Sequence, residues 1–116
     1  MQKIDTKGFE NEIAASPAKA VISLEEGVLK VAPAGRLDTV TSAELKTQLE
    51  AYDTGSVDIE MDFAGVEYIS SAGLRLLVSL QKQARASGHD MVIKNINAVV
   101  KEVFRVSGFI KAFTVV

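Results

Sequence analysis

The sequence predicts an α/β domain: a mixed β-sheet, made of an antiparallel hairpin plus parallel βαβ crossovers, packed with three to four helices. Three observations carry that prediction. Short β-prone runs alternate with helical periodicities from residue 57 onward, the pattern of a largely parallel sheet with right-handed crossovers. Two further runs, Val21–Leu24 and Val28–Ala32, are separated only by Glu25-Glu26-Gly27, which makes them a hairpin and adds an antiparallel pair. Finally, 116 residues with 47% hydrophobic side chains are enough for one domain with one core, burying about two-thirds of the unfolded surface.

The elements follow in order. Residues 1–19 read as an N-terminal extension: Ala14-Ala15-Ser16-Pro17-Ala18-Lys19 is small and Pro-interrupted, and Ile4 and Phe9 are candidates to tuck against the core. The domain proper is expected over 20–116. After the hairpin, Pro33 stops the second run from continuing as a regular central strand. Thr41 with Glu44 three residues later forms a capping box, and Val40 with Leu45 a hydrophobic staple. Leu45, Leu49 and Tyr52 then share one helical face, with Gly55 as the stop. Val57, Ile59, Met61 and Phe63 alternate with Asp58, Glu60 and Asp62, a strand with one buried face. A second helix runs from Ser70 to about Ser87, ending at Gly88, with Leu74, Leu77, Val78 and Leu80 inside. Met91-Val92-Ile93 is a short buried strand. Ile96, Val99, Val100, Val103 and Phe104 mark a third helix closed by Gly108, and Phe113–Val116 a final strand.

Composition narrows the chemistry. Thirteen basic and fifteen acidic residues leave a net charge of −2, so no basic footprint for nucleic acid or anionic lipid is expected. There is no cysteine and a single histidine, His89, which removes thiol nucleophiles, disulfides and Cys/His metal sites, and no cofactor is implied. No signal peptide and no apolar run of membrane-spanning length is present, so the default compartment is the cytoplasm. Asp38, Asp62, Glu67 and His89 are the only polar groups available to an enzyme. His89 lies in a Ser-Gly-His-Asp turn that suits a solvated loop, and no phosphate-binding glycine loop is present.

The informative segment is Val66-Glu67-Tyr68-Ile69-Ser70-Ser71-Ala72-Gly73-Leu74-Arg75, running from a strand-like stretch into a helix start. A serine there is commonly an N-cap, its oxygen accepting from an orphan backbone N–H. The same place also tolerates an anion, because free N–H groups and the positive end of the helix dipole face it. A phosphate on serine would add about −1.5 to −2 charges. Gly73 is expected to leave the neighbouring surface uncluttered, and Arg75 lies four residues from Ser71, in reach of a phosphate.

Tyr68-Ile69-Ser70-Ser71-Ala72-Gly73-Leu74 resembles the signature of STAS domains, shared by bacterial anti-sigma factor antagonists and the cytoplasmic tails of sulfate transporters. Gly35-Arg36-Leu37-Asp38 resembles the family's Gly-x-Leu-Asp segment, and Val103–Phe109 its late helix and small-Gly-aromatic turn. The resemblance spans about residues 20 to 116. It implies a STAS-like sheet and a non-enzymatic binding module: an anti-sigma factor antagonist that binds an anti-sigma factor serine kinase and is switched off by phosphorylation. The phosphorylated serine of the antagonists falls on Ser71. The aspartate that usually precedes it falls on Ser70, which makes Ser70 a rival acceptor. Asp38 matches the aspartate of the earlier loop, near the phosphorylation site in the family, although a pre-helix Asp bonding its own backbone explains it equally. The expected partner-binding set is Asp38, Ser70, Ser71, Gly73 and Arg75. The Ser70 departure supports a second reading, a phosphorylation-independent accessory subunit of an ABC-type membrane transport system.

Overall fold

The computed structural model describes residues 20–116; the 1–19 extension, with Ile4 and Phe9, lies outside the described residues. Strands β1 (Val21–Glu25) and β2 (Val28–Ala32) form the expected hairpin. Glu26 and Gly27 both take positive φ, 53° and 82°, the pair of left-handed residues that a two-residue type I′ turn demands. Beyond β2 the sheet is parallel: β2 pairs with β4 (Asp58–Asp62), β4 with β6 (Met91–Lys94) and β6 with β7 (Thr114–Val115), in the order β1-β2-β4-β6-β7. The mixed sheet is thus as predicted.

The period-2 pattern explains which face is inside. Leu29, Val31, Ile59, Met61, Met91 and Ile93 are buried. Lys30, Glu60 and Lys94 alternate with them on the other face, where the Lys94 ammonium sits 3.0 Å from Glu60. Helices α1 (Thr39–Leu49), α2 (Ser71–Ala86) and α3 (Ala98–Val106) close the core with Leu45 and Leu49, with Leu74, Leu77 and Leu80, and with Val100 and Phe104. A single 3-10 turn at Phe109–Lys111 follows α3 and brings Phe113 to 5.3 Å from Phe104, ring centre to ring centre. No helix among the described residues is long and apolar enough to cross a membrane.

Two strands go beyond the predicted element order. β3 (Ala34–Leu37) and β5 (Gly65–Ile69) pair in parallel as a separate two-stranded sheet. Pro33 does end β2, because it has no N–H to give the ladder, but the chain re-enters a strand at once. Gly35, at φ 78°, absorbs the register shift beside Arg36.

Helix α1 starts two residues earlier than Thr41. Its N-cap is Asp38, whose carboxylate accepts from the Thr41 backbone N–H at 3.0 Å, while the Asp38 N–H donates to the Thr41 hydroxyl at 2.9 Å. The capping box is therefore Asp38/Thr41 in place of Thr41/Glu44. Val40, 66% exposed, packs no staple. The helix also ends at Leu49, leaving Tyr52 in the following turn and Gly55 well past the stop. Helix α2 matches its expected bounds, with Gly88 left-handed at φ 80° just after it. Helix α3 begins at Ala98, behind an Asn97 cap, and Gly108 follows at φ 84°.

Candidate functional site at the start of the second helix

The two-stranded sheet builds the site. β3 and β5 run in parallel and end in register at Leu37 and Ile69; the next residue of each chain, Asp38 and Ser70, caps a helix. Two helix N-termini are thus delivered side by side, each with the positive end of its dipole at the same edge of the molecule. The Leu37 carbonyl ties them together, accepting from the Ser70 N–H at 2.9 Å and from the Ser70 hydroxyl at 3.0 Å. Asn97 holds β5 from the other side, donating to the Val66 carbonyl at 3.0 Å while capping α3.

The two serines are thereby separated in role. Ser70 is the N-cap of α2: its oxygen accepts from the Gly73 N–H at 3.4 Å, and its hydroxyl proton is committed to Leu37. It is half-buried. Ser71 is the first residue of the helix, exposed, and its hydroxyl has no hydrogen-bond partner among the described residues. Arg75, one turn along on the same face, is exposed and meets no carboxylate among the described residues.

Gly73 does something other than leave the surface open. It is buried, and a Cβ added to it would fall 2.6 Å from Ile69 Cγ1 and 3.1 Å from the Leu37 carbonyl oxygen. The missing side chain lets the first turn of α2 sit directly on the ends of β3 and β5. Gly73 therefore presents no surface to a partner, and it acts by fixing where Ser71 stands. Asp38 is likewise the helix cap described above, half-buried. The bond from the Thr41 backbone, joined by that from the Thr41 hydroxyl, holds its carboxyl below the usual aspartate range. Beside it, the Arg36 guanidinium lies 4.5 Å from the centre of the Tyr68 ring, a cation–π contact across β3 and β5.

The remaining polar candidates are scattered. His89 Nδ1 is 3.3 Å from Asp58 at the start of β4, whereas Asp62, at the other end of that strand, accepts from Asn95 and the Ala64 N–H. Four residues of strand separate them by about 13 Å. Glu67 is exposed on β5. Among the described residues no group of three or more His, Asp and Glu side chains is placed to hold a metal.

Two residues that the sequence reading missed line the groove between α1 and α2: Ser42, 5% exposed, whose hydroxyl has no hydrogen-bond partner among the described residues, and Lys46. A serine and a lysine inside a helix as weakly patterned as α1 carry nothing that sets them apart from solvated positions.

The family described as Mlab, STAS domain, matches residues 19–115, and the chain belongs to the STAS domain family. BtrV of Bordetella bronchiseptica, assigned as an anti-sigma factor antagonist, is 33% identical over 91 residues, which cover 78% of each chain. An anti-sigma factor antagonist structure from Thermotoga maritima superposes with a TM-score of 0.74 at 17% identity, covering 83% of this chain and 84% of that one. SpoIIAA, a Bacillus cell fate determinant, is similar in its unphosphorylated form (TM-score 0.71, 16% identity, 84% of this chain and 88% of that one). Its phosphorylated form is similar too (TM-score 0.63, 17% identity, 84% and 91%). These three proteins, one similar in sequence and two in fold, are anti-sigma factor antagonists.

Proposed function

We propose that this chain is an anti-sigma factor antagonist that binds an anti-sigma factor serine kinase through the surface around Ser71, and that phosphorylation of Ser71 dissolves the complex. The observation that carries the reading is the division of labour between the two serines. Ser70 spends its hydroxyl on the fold, whereas Ser71 keeps its own exposed and uncommitted. A kinase transferring the γ-phosphoryl group of ATP to Ser71 Oγ displaces only the hydroxyl proton and breaks no structural bond. The added charge of about −2 sits at a helix N-terminus, where it is tolerated. The fold therefore survives, and the cost falls on the interface, where an uncompensated charge is expensive to bury. The 33% identity to BtrV and the existence of a phosphorylated SpoIIAA of the same fold support this reading. In this reading Arg75, one turn along from Ser71, and Asp38, the cap of the neighbouring helix, are the contact residues, and the Ser70 cap holds the turn that presents Ser71.

The test is incubation with the cognate kinase and ATP, followed by mass spectrometry and a binding measurement. One phosphate is expected on Ser71, retained in Ser70→Ala and absent from Ser71→Ala, with binding lost in Ser71→Asp. A phosphate mapped elsewhere, or none with an active kinase, overturns the switch. So does capture of an ABC-type ATPase equally by wild type, Ser71→Ala and Ser71→Asp, which would establish the transport reading instead.

A further inference from the structure

A groove of about 670 Å³ runs between α2 and the 3-10 turn Phe109–Lys111, beginning at Val78, two turns along the helix from Ser71. Its floor is apolar: Val78 and Phe109 are both half-buried. Phe109 is held in place by stacking on Phe113, with 5.5 Å between ring centres and 20° between planes, and Phe113 leans in turn on Phe104. Lys82, Arg85 and Lys111 line the groove and are exposed. Arg85 is engaged with Asp90 at 3.2 Å, whereas Lys82 and Lys111 meet no carboxylate among the described residues. No Asp or Glu lines this groove or the hollow that continues it past Val78 toward Arg75. In a chain of fifteen acidic and thirteen basic residues, that is a local excess of positive charge. The independent observation is Gln81. It is 7% exposed and lines the groove. Its carboxamide N–H donates to the Ala112 carbonyl at 2.9 Å, which clamps the 109–112 segment onto α2. Its carboxamide oxygen accepts from nothing among the described residues, yet it is not sealed from solvent. A buried amide normally satisfies both ends, and this one cannot turn away without losing Ala112.

We propose that this groove docks an acidic, non-helical segment of a partner protein. An apolar side chain of the segment covers Val78 and Phe109, its carboxylates face Lys82, Arg85 and Lys111, and a main-chain N–H donates to the Gln81 oxygen. Charge complementarity selects an acidic occupant, because a basic one would meet three cations and no counter-charge. The Gln81 acceptor selects the backbone: a helix engages its N–H groups on its own carbonyls, whereas an extended chain leaves them free to donate. The spacing sets a pattern. Lys82 and Arg85 follow Val78 by four and seven residues, on one stripe of α2 and about 6 and 10 Å along its axis. An extended chain covers those lengths in about two and three residues. The segment is therefore expected to carry carboxylates two and three positions from its apolar residue. The stacked rings and the Gln81 clamp fix the groove beforehand, so little ordering opposes docking. This surface does not include Ser71 and does not rest on the function proposed above.

The test is selection of a random displayed octapeptide library on the full chain, with the winning sequences synthesised and titrated into the 15N-labelled protein. Enriched peptides are expected to pair an apolar residue with Asp or Glu two or three positions away. They should shift the Val78 and Phe109 amides and the Gln81 side-chain amide. Affinity should fall with added salt and weaken roughly tenfold in Lys82→Glu/Lys111→Glu, where two attractions become repulsions. Both lysines are exposed, so the amide spectrum of that variant should report an intact fold. Lys46→Glu, on α1 and outside this groove, changes nothing. Selection without acidic enrichment, shifts that map outside the groove, or an affinity indifferent to the double reversal overturns the proposal. So does binding to vesicles of phosphatidylglycerol and phosphatidylcholine that depends on Lys82 and Lys111 while no peptide is selected, which would assign the groove to a membrane surface. Phosphorylation of Ser71 by its kinase, read by mass spectrometry, is unaffected by any of these results, so the two proposals fail separately.

Discussion

At the scale of single residues, two adjacent serines have opposite costs. Ser70→Ala removes both the bond to Leu37 and the cap on Gly73, and caps of this kind are worth about 1–2 kcal/mol. Ser71→Ala removes a hydroxyl with no partner among the described residues, and surface changes of that sort stay within about 0.5 kcal/mol. Thermal melts of the two variants should therefore differ by several degrees, Ser70→Ala lower, since about 1 kcal/mol moves a domain of this size by ~4–8 °C. Equal melting points would mean that Ser70 is not the working cap. The signature segment marked both serines but did not rank them, because the ranking depends on the Leu37 carbonyl, 33 residues away in sequence. Ser42 left no trace in the pattern at all, because its burial is set by tertiary packing and not by its neighbours in sequence.

At the scale of elements, the placement of α2 depends on Gly73. An alanine there gains helix propensity, worth about 1 kcal/mol over glycine, but its Cβ would lie 2.6 Å from Ile69 Cγ1 and 3.1 Å from a backbone oxygen that has little freedom to move. Overpacking of this kind costs about 1–3 kcal/mol. Gly73→Ala is thus expected to be destabilising in urea unfolding despite the propensity gain. The penalty should shrink in an Ile69→Ala background, which removes the clashing methylene; additive effects in the double-mutant cycle would show that the approach to β5 is not the constraint. Elements with long periodicities were legible in the sequence: α2 and β4 stand where their apolar spacing puts them, and α3 does through Val100 and Phe104, although Ile96 precedes its Asn97 cap and Val99 is exposed. β3 was not, because four residues punctuated by Pro33 and Gly35 carry no period, and their strand character comes from parallel pairing with a partner 31 residues on. The start of α1 was displaced because Asp38/Thr41 and Thr41/Glu44 both fit a capping template. Backbone geometry selects the first, and Asp38 thereby turns from a loop carboxylate into a cap.

At the scale of the whole molecule, carboxylates at turns and element ends govern the response to acid. Asp38 caps α1, held low first by the Thr41 backbone bond. Asp62 closes β4, lowered by the Asn95 amide and then by the Ala64 N–H. Asp90 opens β6, lowered by the Met91 N–H. Each is depressed in the folded state, so its contribution is present above the unfolded value of about 4 and is lost as pH falls through the lower folded value. Lys94 has the opposite sign: its bond to Glu60 raises it, so that contribution is complete below the ordinary lysine range and lost only above it. A plateau of stability between about pH 5.5 and 8, with a decline below about pH 4, follows. The leading cause in all three aspartates is a hydrogen bond and not a paired charge. The acid decline should therefore persist in about 0.5 M salt, where the Debye length has shrunk to a few ångströms and exposed ion pairs are screened. Urea midpoints measured across pH at low and high salt test this, with Asp38→Asn as the internal control: it should lower the plateau and flatten the decline, since the cap then no longer titrates. A decline that disappears in salt would assign acid stability to ion pairs such as Arg85–Asp90 instead of to the caps and turns that hold the two helix starts in place.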